Sequence, residues 1–164
     1  MNLRMAEECD LEGILDIYNY EIENGIATFD TEKKTMTEWK LWFERHSGEG
    51  PATAIVAEEN GEILGYASLS AYRDRRAYNS TLELSVYVKK EYRNKGVATE
   101  LMDEIIKIAR VDPRVHAIVS VITSGNKASI KLHEKFGFAY CGTIREVGFK
   151  FGRYLNVDNY ELIV

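Results

Sequence analysis

Cysteine is scarce. Cys9 and Cys141 are the only two in 164 residues, and neither has metal-ligand spacing or a histidine partner nearby. They are expected to be free thiols in a reducing compartment, which makes the cytoplasm the natural location, and no metal site is expected. No apolar run approaches the roughly 20 residues that a membrane-spanning helix needs, so no membrane partner is expected. Met1-Asn2-Leu3-Arg4 leads straight into sequence that reads as folded, so no signal peptide is expected either. Positive charge is in deficit: Lys and Arg total 21 against 26 Asp and Glu, a formal net charge of −5. That balance argues against nucleic acid as a partner, which calls for a basic face. Two familiar nucleotide-binding loops are absent, G-x-x-x-x-G-K-[ST] and G-x-G-x-x-G. There is no low-complexity tract, linker or internal repeat. What remains is ordinary globular sequence, 45% hydrophobic and 29% charged, of a length that suits one domain spanning 1–164 with a substantial core.

Hydrophobic periodicity divides the chain into short elements. Leu3-Arg4-Met5 reads as a first strand. Asp10 is a plausible N-cap for a helix carrying Leu11, Ile14, Leu15, Ile17 and Tyr18 on one face and fading near Asn24-Gly25. A second helix is predicted around Thr37 to Arg45, with Trp39, Trp42 and Phe43 on one face, suited to core or subunit contact. Strands over Ala52 to Glu58 and Ile63 to Leu69 are joined by Glu59-Asn60-Gly61, a hairpin signal. A fourth strand covers Ser80 to Val88, and a third helix runs from Gly96 to Arg110 before Asp112-Pro113. A fifth strand is expected from His116 to Val121 and a fourth helix from Asn126 to Lys135, ending at Gly137. Two strands, Ala139 to Phe149 and Val157 to Ile163, close the chain. This order predicts an α/β (α+β) fold, a mixed sheet with helices on its faces.

One junction stands out. Tyr92-Arg93-Asn94-Lys95-Gly96-Val97-Ala98-Thr99 lies between the fourth strand and the third helix, where a helix leaves N–H groups unpaired and presents the positive end of its dipole. A glycine there admits close approach of an anion. Arg93 and Lys95 add charge, Asn94 and Thr99 add neutral donors, and Ala98 keeps the next turn small. From these residues alone the segment suits either a diphosphate seat or a charged turn.

R-x-x-G-x-A, as Arg93-Asn94-Lys95-Gly96-Val97-Ala98 after Ser85-Val86-Tyr87-Val88, resembles the acetyl-CoA motif of the GNAT N-acetyltransferase superfamily. Asn126-Lys127-Ala128-Ser129 followed by Leu132-His133-Glu134-Lys135-Phe136-Gly137-Phe138 is similar to a second segment of that superfamily. Ala77-Tyr78, Glu83 and Gly148-Phe149-Lys150 with Gly152 resemble its phosphinothricin/methionine sulfoximine acetyltransferase subfamily. One departure is visible: that family often carries His-Asp after an aromatic near its end, where this chain has Leu155-Asn156 after Tyr154.

The resemblance implies a mostly antiparallel sheet of about seven strands, flanked by about four helices, with strands four and five splayed. It implies acetyl transfer from acetyl-CoA to a small amine in a ternary complex, with the pantetheine arm along Val86-Tyr87-Val88. The diphosphate would sit on Asn94 to Thr99 near Arg93, with Asn126 and Ser129 touching the cofactor. An amine of pKa near ~10 is mostly protonated at neutral pH, so a general base is required. Glu83 is the matching candidate, in phase with Ser85 and Tyr87, and His133 is the candidate proton donor to the thiolate, with Tyr154 and Tyr140 behind it. A backbone N–H near Val86 is the candidate for polarising the thioester carbonyl. Tyr72, Arg73, Tyr78, Phe29, Glu83 and Ser85 would hold the acceptor, Arg73 through its carboxylate or phosphinate. A homodimer is implied as well. The alternatives are transfer to a protein N-terminus or polyamine, a non-catalytic acyl-CoA sensor, and a nucleotide-binding regulator without acyl chemistry.

Overall fold

The computed structural model describes residues 1–164. Its strands are β1 (Asn2–Met5), β2 (Thr53–Glu59), β3 (Glu62–Ala71), β4 (Thr81–Val88), β5 (Ala117–Thr123), β6 (Ala139–Lys150) and β7 (Arg153–Ile163). Its helices are α1 (Leu11–Asn24), α2 (Met36–His46), α3 (Val97–Val111) and α4 (Lys127–Lys135). All seven strands join one sheet in the order β1-β2-β3-β4-β5-β7-β6. Every neighbouring pair is antiparallel except β4 and β5, which run parallel.

Alternation along the central strands gives each face its own core. Ile55, Ala57, Ala67, Leu69, Leu82 and Leu84 point to the face covered by α3, where Leu101, Met102 and Ile105 are fully buried. Removing one such side chain, as in Leu101→Ala, costs about 2–5 kcal/mol. Val56, Ile63 and Tyr66 point the other way and pack with Leu11, Ile14, Ile17 and Trp39. The aromatic face of α2 therefore closes onto α1 and the sheet. Trp39 and Trp42 stack at 4.9 Å, and Tyr18 lies 4.7 Å from Trp39. Trp39 is buried inside the protomer, while Trp42 and Phe43 stay partly exposed.

Several boundaries differ from expectation for local reasons. Asp10 precedes α1 but makes no cap to it. It accepts from both Arg4 nitrogens, at 2.6 and 2.8 Å, and from Glu7 N–H, so it ties β1 to the helix entrance. The N-cap of α2 is Thr35, in a reciprocal box with Glu38. β7 begins at Arg153, four residues ahead of the predicted Val157, because the turn at Phe151-Gly152, both at positive φ, folds it straight back on β6. Arg153, Tyr154 and Asn156 are not in the buried phase of a core strand, so periodicity does not announce them.

Candidate active site

The site is created where the parallel pair comes apart. β4 and β5 pair at Thr81–Ala117, Leu82–Ile118 and Glu83–Val119 and then diverge. The phase of β4 is fixed by its bonds to β3, since Lys89 N–H donates to Leu64 O at 2.8 Å and Tyr72 N–H to Thr81 O at 3.4 Å. Antiparallel ladder bonds recur on alternate residues. The odd-numbered residues of β4 are thus committed to β3, while Leu84, Val86 and Val88 turn their N–H and C=O groups toward the gap. Of the three predicted backbone positions, Val86 and Val88 face the gap; Tyr87 contributes its side chain, whose hydroxyl donates to Ala27 O at 3.4 Å.

The gap opens into a cleft of about 470 Å³ that reaches the start of α3 and the inner face of α4. At its α3 end, Asn94 (φ 59°) and Gly96 (φ 86°) are both left-handed, an arrangement that turns successive N–H groups toward one point. None of the N–H groups from Asn94 to Ala98 donates within the protein; the first amides bonded back are those of Thr99 and Glu100, both to Gly96 O. An added Cβ at Gly96 would meet nothing within 4 Å. Glycine is thus required there by its φ and not by crowding.

Arg93 is also engaged within the protein. Its guanidinium pairs with the buried Glu21 carboxylate at the end of α1, and its Nε donates to Val88 O at 3.2 Å. It lines the cleft, but its charge is partly neutralised and serves to brace the loop. Lys95 stands over the Tyr92 ring at 5.1 Å and lies outside the cleft lining.

Across the gap, Asn126 caps α4 by accepting from Ser129 N–H at 3.3 Å. His133 Nδ1 lies 2.8 Å from Ser129 O and must therefore carry the hydrogen. His133 Nε2 and Ser120 Oγ are buried without partners, and both residues line the cleft. Burial holds the His133 imidazole below its usual pKa, which favours the neutral ring.

On the α1/α2 side, Glu83 sits opposite Ser70, half-buried at the point of divergence. Burial raises its pKa and the Arg73 charge opposes the rise. Arg73 lies over Tyr72 at 4.8 Å and Tyr78 at 5.9 Å, and those two rings meet edge-on at 5.5 Å. The structure thus brings Glu83, Arg73, Tyr72 and Tyr78 together. The Phe29 ring lies directly over Gly148 of β6, where no Cβ fits.

Residues 3–157 match the family model described as an acetyltransferase (GNAT) domain. The L-methionine sulfoximine/L-methionine sulfone acetyltransferase of Pseudomonas aeruginosa is 36% identical over 161 residues, covering 98% of this chain and 93% of its own. Among solved structures, the ribosomal-protein-alanine N-acetyltransferase of Brucella melitensis superposes with a TM-score of 0.96 at 36% identity, covering 100% of both chains. A phosphinothricin acetyltransferase from Sinorhizobium meliloti, solved with acetyl-CoA, superposes with a TM-score of 0.93 at 32% identity, covering 99% of this chain and 88% of that one. The chain belongs to the GNAT acetyltransferase family.

As a GNAT enzyme it is an acetyl-CoA-dependent N-acetyltransferase, and its cleft fits that donor on internal evidence. Five consecutive free amides suit a diphosphate. The even-numbered edge of β4 suits the amides and hydroxyl of a pantetheine arm. Sequence reasoning missed Ser120, although a lone hydroxyl between Ile118 and Ile122 in the buried phase of β5 was a signal. It also missed Glu21 and Ala27, which line the cleft from the α1–α2 segment and carry no local signature. No helix is long and apolar enough to cross a membrane.

Proposed function

We propose that residues 1–164 act as one catalytic unit that acetylates the primary amine of a small amino-acid-like acceptor, in a ternary complex with acetyl-CoA. Bound acetyl-CoA supplies an activated acetyl thioester. The free amides of Asn94 to Ala98 hold its diphosphate, with Thr99 and the Asn126 amide beside them and Ser129 at the α4 wall. Val86 N–H faces the gap where charge builds on the acetyl oxygen, and a fixed donor there favours transfer. Glu83 takes the amine proton, directly or through water. Its raised pKa brings it closer to neutrality and so makes it a better base than an ordinary carboxylate. Arg73 offers its fork to the acceptor carboxylate, with Tyr72 and Tyr78 as walls and Ser85 on the floor.

The observation that carries this reading is the position of Glu83, half-buried and facing Arg73, at the residue where β5 leaves β4. The names of the relatives support the acceptor class, and the Brucella protein's name keeps peptide N-termini as the second reading. Thiol release should be followed with methionine sulfoximine, phosphinothricin, spermidine and an alanine-ended peptide. Turnover on the first two is expected, with Glu83→Gln lowering kcat about 100-fold or more and leaving acetyl-CoA affinity intact. Turnover confined to spermidine or peptide rejects the acceptor class, and full activity in the variant removes Glu83 from the base role.

The proposed cytoplasmic location rests on the two exposed, unpaired cysteines, which suit a reducing compartment. The proposed homodimer rests on β6. It is an edge strand of 12 residues whose surface carries exposed Tyr140, Ile144, Val147 and Phe149, with Phe151 and Tyr154 beside them. Such an edge is ordinarily covered. Sedimentation at micromolar concentration should find a dimer, and a monomer would remove this assignment.

A further inference from the structure

Near the end of β6 the sequence places Gly148, Lys150 and Gly152, and nothing in the transfer chemistry uses them. Gly152 serves the hairpin turn. The other two face the segment that leaves α1. Lys150 is only 3% exposed, and its Nζ donates to two main-chain carbonyls, Thr28 O at 2.9 Å and Glu21 O at 3.4 Å. An ammonium costs free energy to bury, and this one stands where the carbonyls of the last turn of α1 gather negative charge. Two residues earlier, Gly148 leaves room for the Phe29 ring. The same segment crosses both diverging strands. Thr123 of β5 donates to Ile26 O, and Tyr87 of β4 donates to Ala27 O at 3.4 Å. Residues 26 to 29 are thus fastened one by one to β4, β5 and β6.

This strap reaches the donor cleft through Glu21. That residue is 6% exposed, lines the cleft and holds the Arg93 guanidinium. Arg93 in turn donates from Nε to Val88 O at the root of the loop that carries the free amides. Gly25 lets the carboxylate lie there, since a Cβ at that position would collide with it. Lys150 therefore grips the main chain of the residue whose side chain grips Arg93.

We infer that Lys150 is a positioning residue for the donor. By fastening Glu21 and Thr28 it fixes the carboxylate that orients Arg93 and, with it, the loop that takes the diphosphate. The inference rests on the diphosphate seat at Asn94 to Ala98 and adds to that seat a residue from the far edge of the sheet. A side chain that only filled space beside α1 would need length and no charge. Methionine has that length and lacks the ammonium, so Lys150→Met separates packing from positioning.

Calorimetry should compare acetyl-CoA binding to the wild type, Lys150→Met, Arg93→Met and the double variant, with thermal unfolding of each ligand-free protein to confirm folding. Lys150→Met should weaken binding about five- to tenfold. Because the effect passes through Arg93, the double variant should bind within about twofold of Arg93→Met alone. Unchanged affinity in Lys150→Met overturns the inference, and so does a loss that adds in full to that of Arg93→Met. If Lys150→Met does not fold, Gly25→Ala takes its place. It leaves Lys150 intact, pushes the Glu21 carboxylate off Arg93 and should weaken binding by a similar factor; full affinity there overturns the route. Gly96→Val keeps the seat and the route apart. Full affinity in Gly96→Val rejects the diphosphate seat and the route with it, whereas a loss there with none in Lys150→Met rejects the route alone.

Discussion

β4 serves two cavities, and they are built from different material. Toward β5 the lining is largely backbone: strand-edge amides, a left-handed loop and the first turn of α3. Toward α2 it is side chains: three serines, three tyrosines and two tryptophans, with Glu83 next to them on the same face of the sheet. A backbone site depends on conformation, so many sequences can make it, and it suits a ligand common to a whole family. A side-chain site changes with single substitutions and suits the ligand that differs from member to member. The comparison explains why the chain can share its donor with all GNAT enzymes while its acceptor remains its own.

A crossed pair of variants would break or sharpen this division. Arg73→Met removes a charged hydrogen-bond partner, a loss of about 1.5–3 kcal/mol, and should raise the acceptor KM about thirtyfold with little change in acetyl-CoA affinity. It should also move the acid limb of the pH–rate profile. Burial raises the Glu83 pKa and the Arg73 charge holds it down, so without that charge the pKa climbs further. The base form is then lost at a higher pH, and the limb shifts upward. Gly96→Val should do the reverse. A branched residue forced to φ near 86° costs about 1–2 kcal/mol, so acetyl-CoA affinity should fall about tenfold while the acceptor KM stays put. Both constants moving together in both variants would mean that the cavities are one site.

The same division governs how much could be read in advance. The donor half is nearly continuous in sequence, so Val86 to Thr99 could be recognised from order and spacing. Even there, the pairing of Arg93 with Glu21 was invisible, because it joins residues on separate elements through the fold. The proposed acceptor half draws on β4 and on the connection between β3 and β4. Trp39 looked like a core residue because it is one, and its unpartnered N–H becomes evident only when its neighbours are placed. Ser68 and Ser70 read as unremarkable strand residues until the register sets them opposite Ser85 and Glu83. The aromatic face of α2, open to a subunit-contact reading, is turned inward by the packing of Tyr18 and Tyr66 against it. The exposed apolar residues gather on β6 and its hairpin instead.

His133 offers the subtlest test, because it is a side chain on the backbone-built side. A proton donor to the departing thiolate needs hydrogen on Nε2. Here Nδ1 already holds one, facing Ser129 O at 2.8 Å, so a hydrogen on both nitrogens would make the ring an imidazolium. Burial opposes that charge and lowers the pKa, which favours the neutral ring with its hydrogen on Nδ1. We propose that it belongs with the wall of the donor cleft, like Ser120, and not with the proton chemistry proposed for Glu83. His133→Leu should therefore weaken acetyl-CoA binding about fivefold, the worth of one neutral hydrogen bond, and leave the basic side of the kcat profile where it was. A basic limb present in the wild type and absent from His133→Leu would return the residue to the donor role, and the backbone cavity would then contain one catalytic side chain of its own.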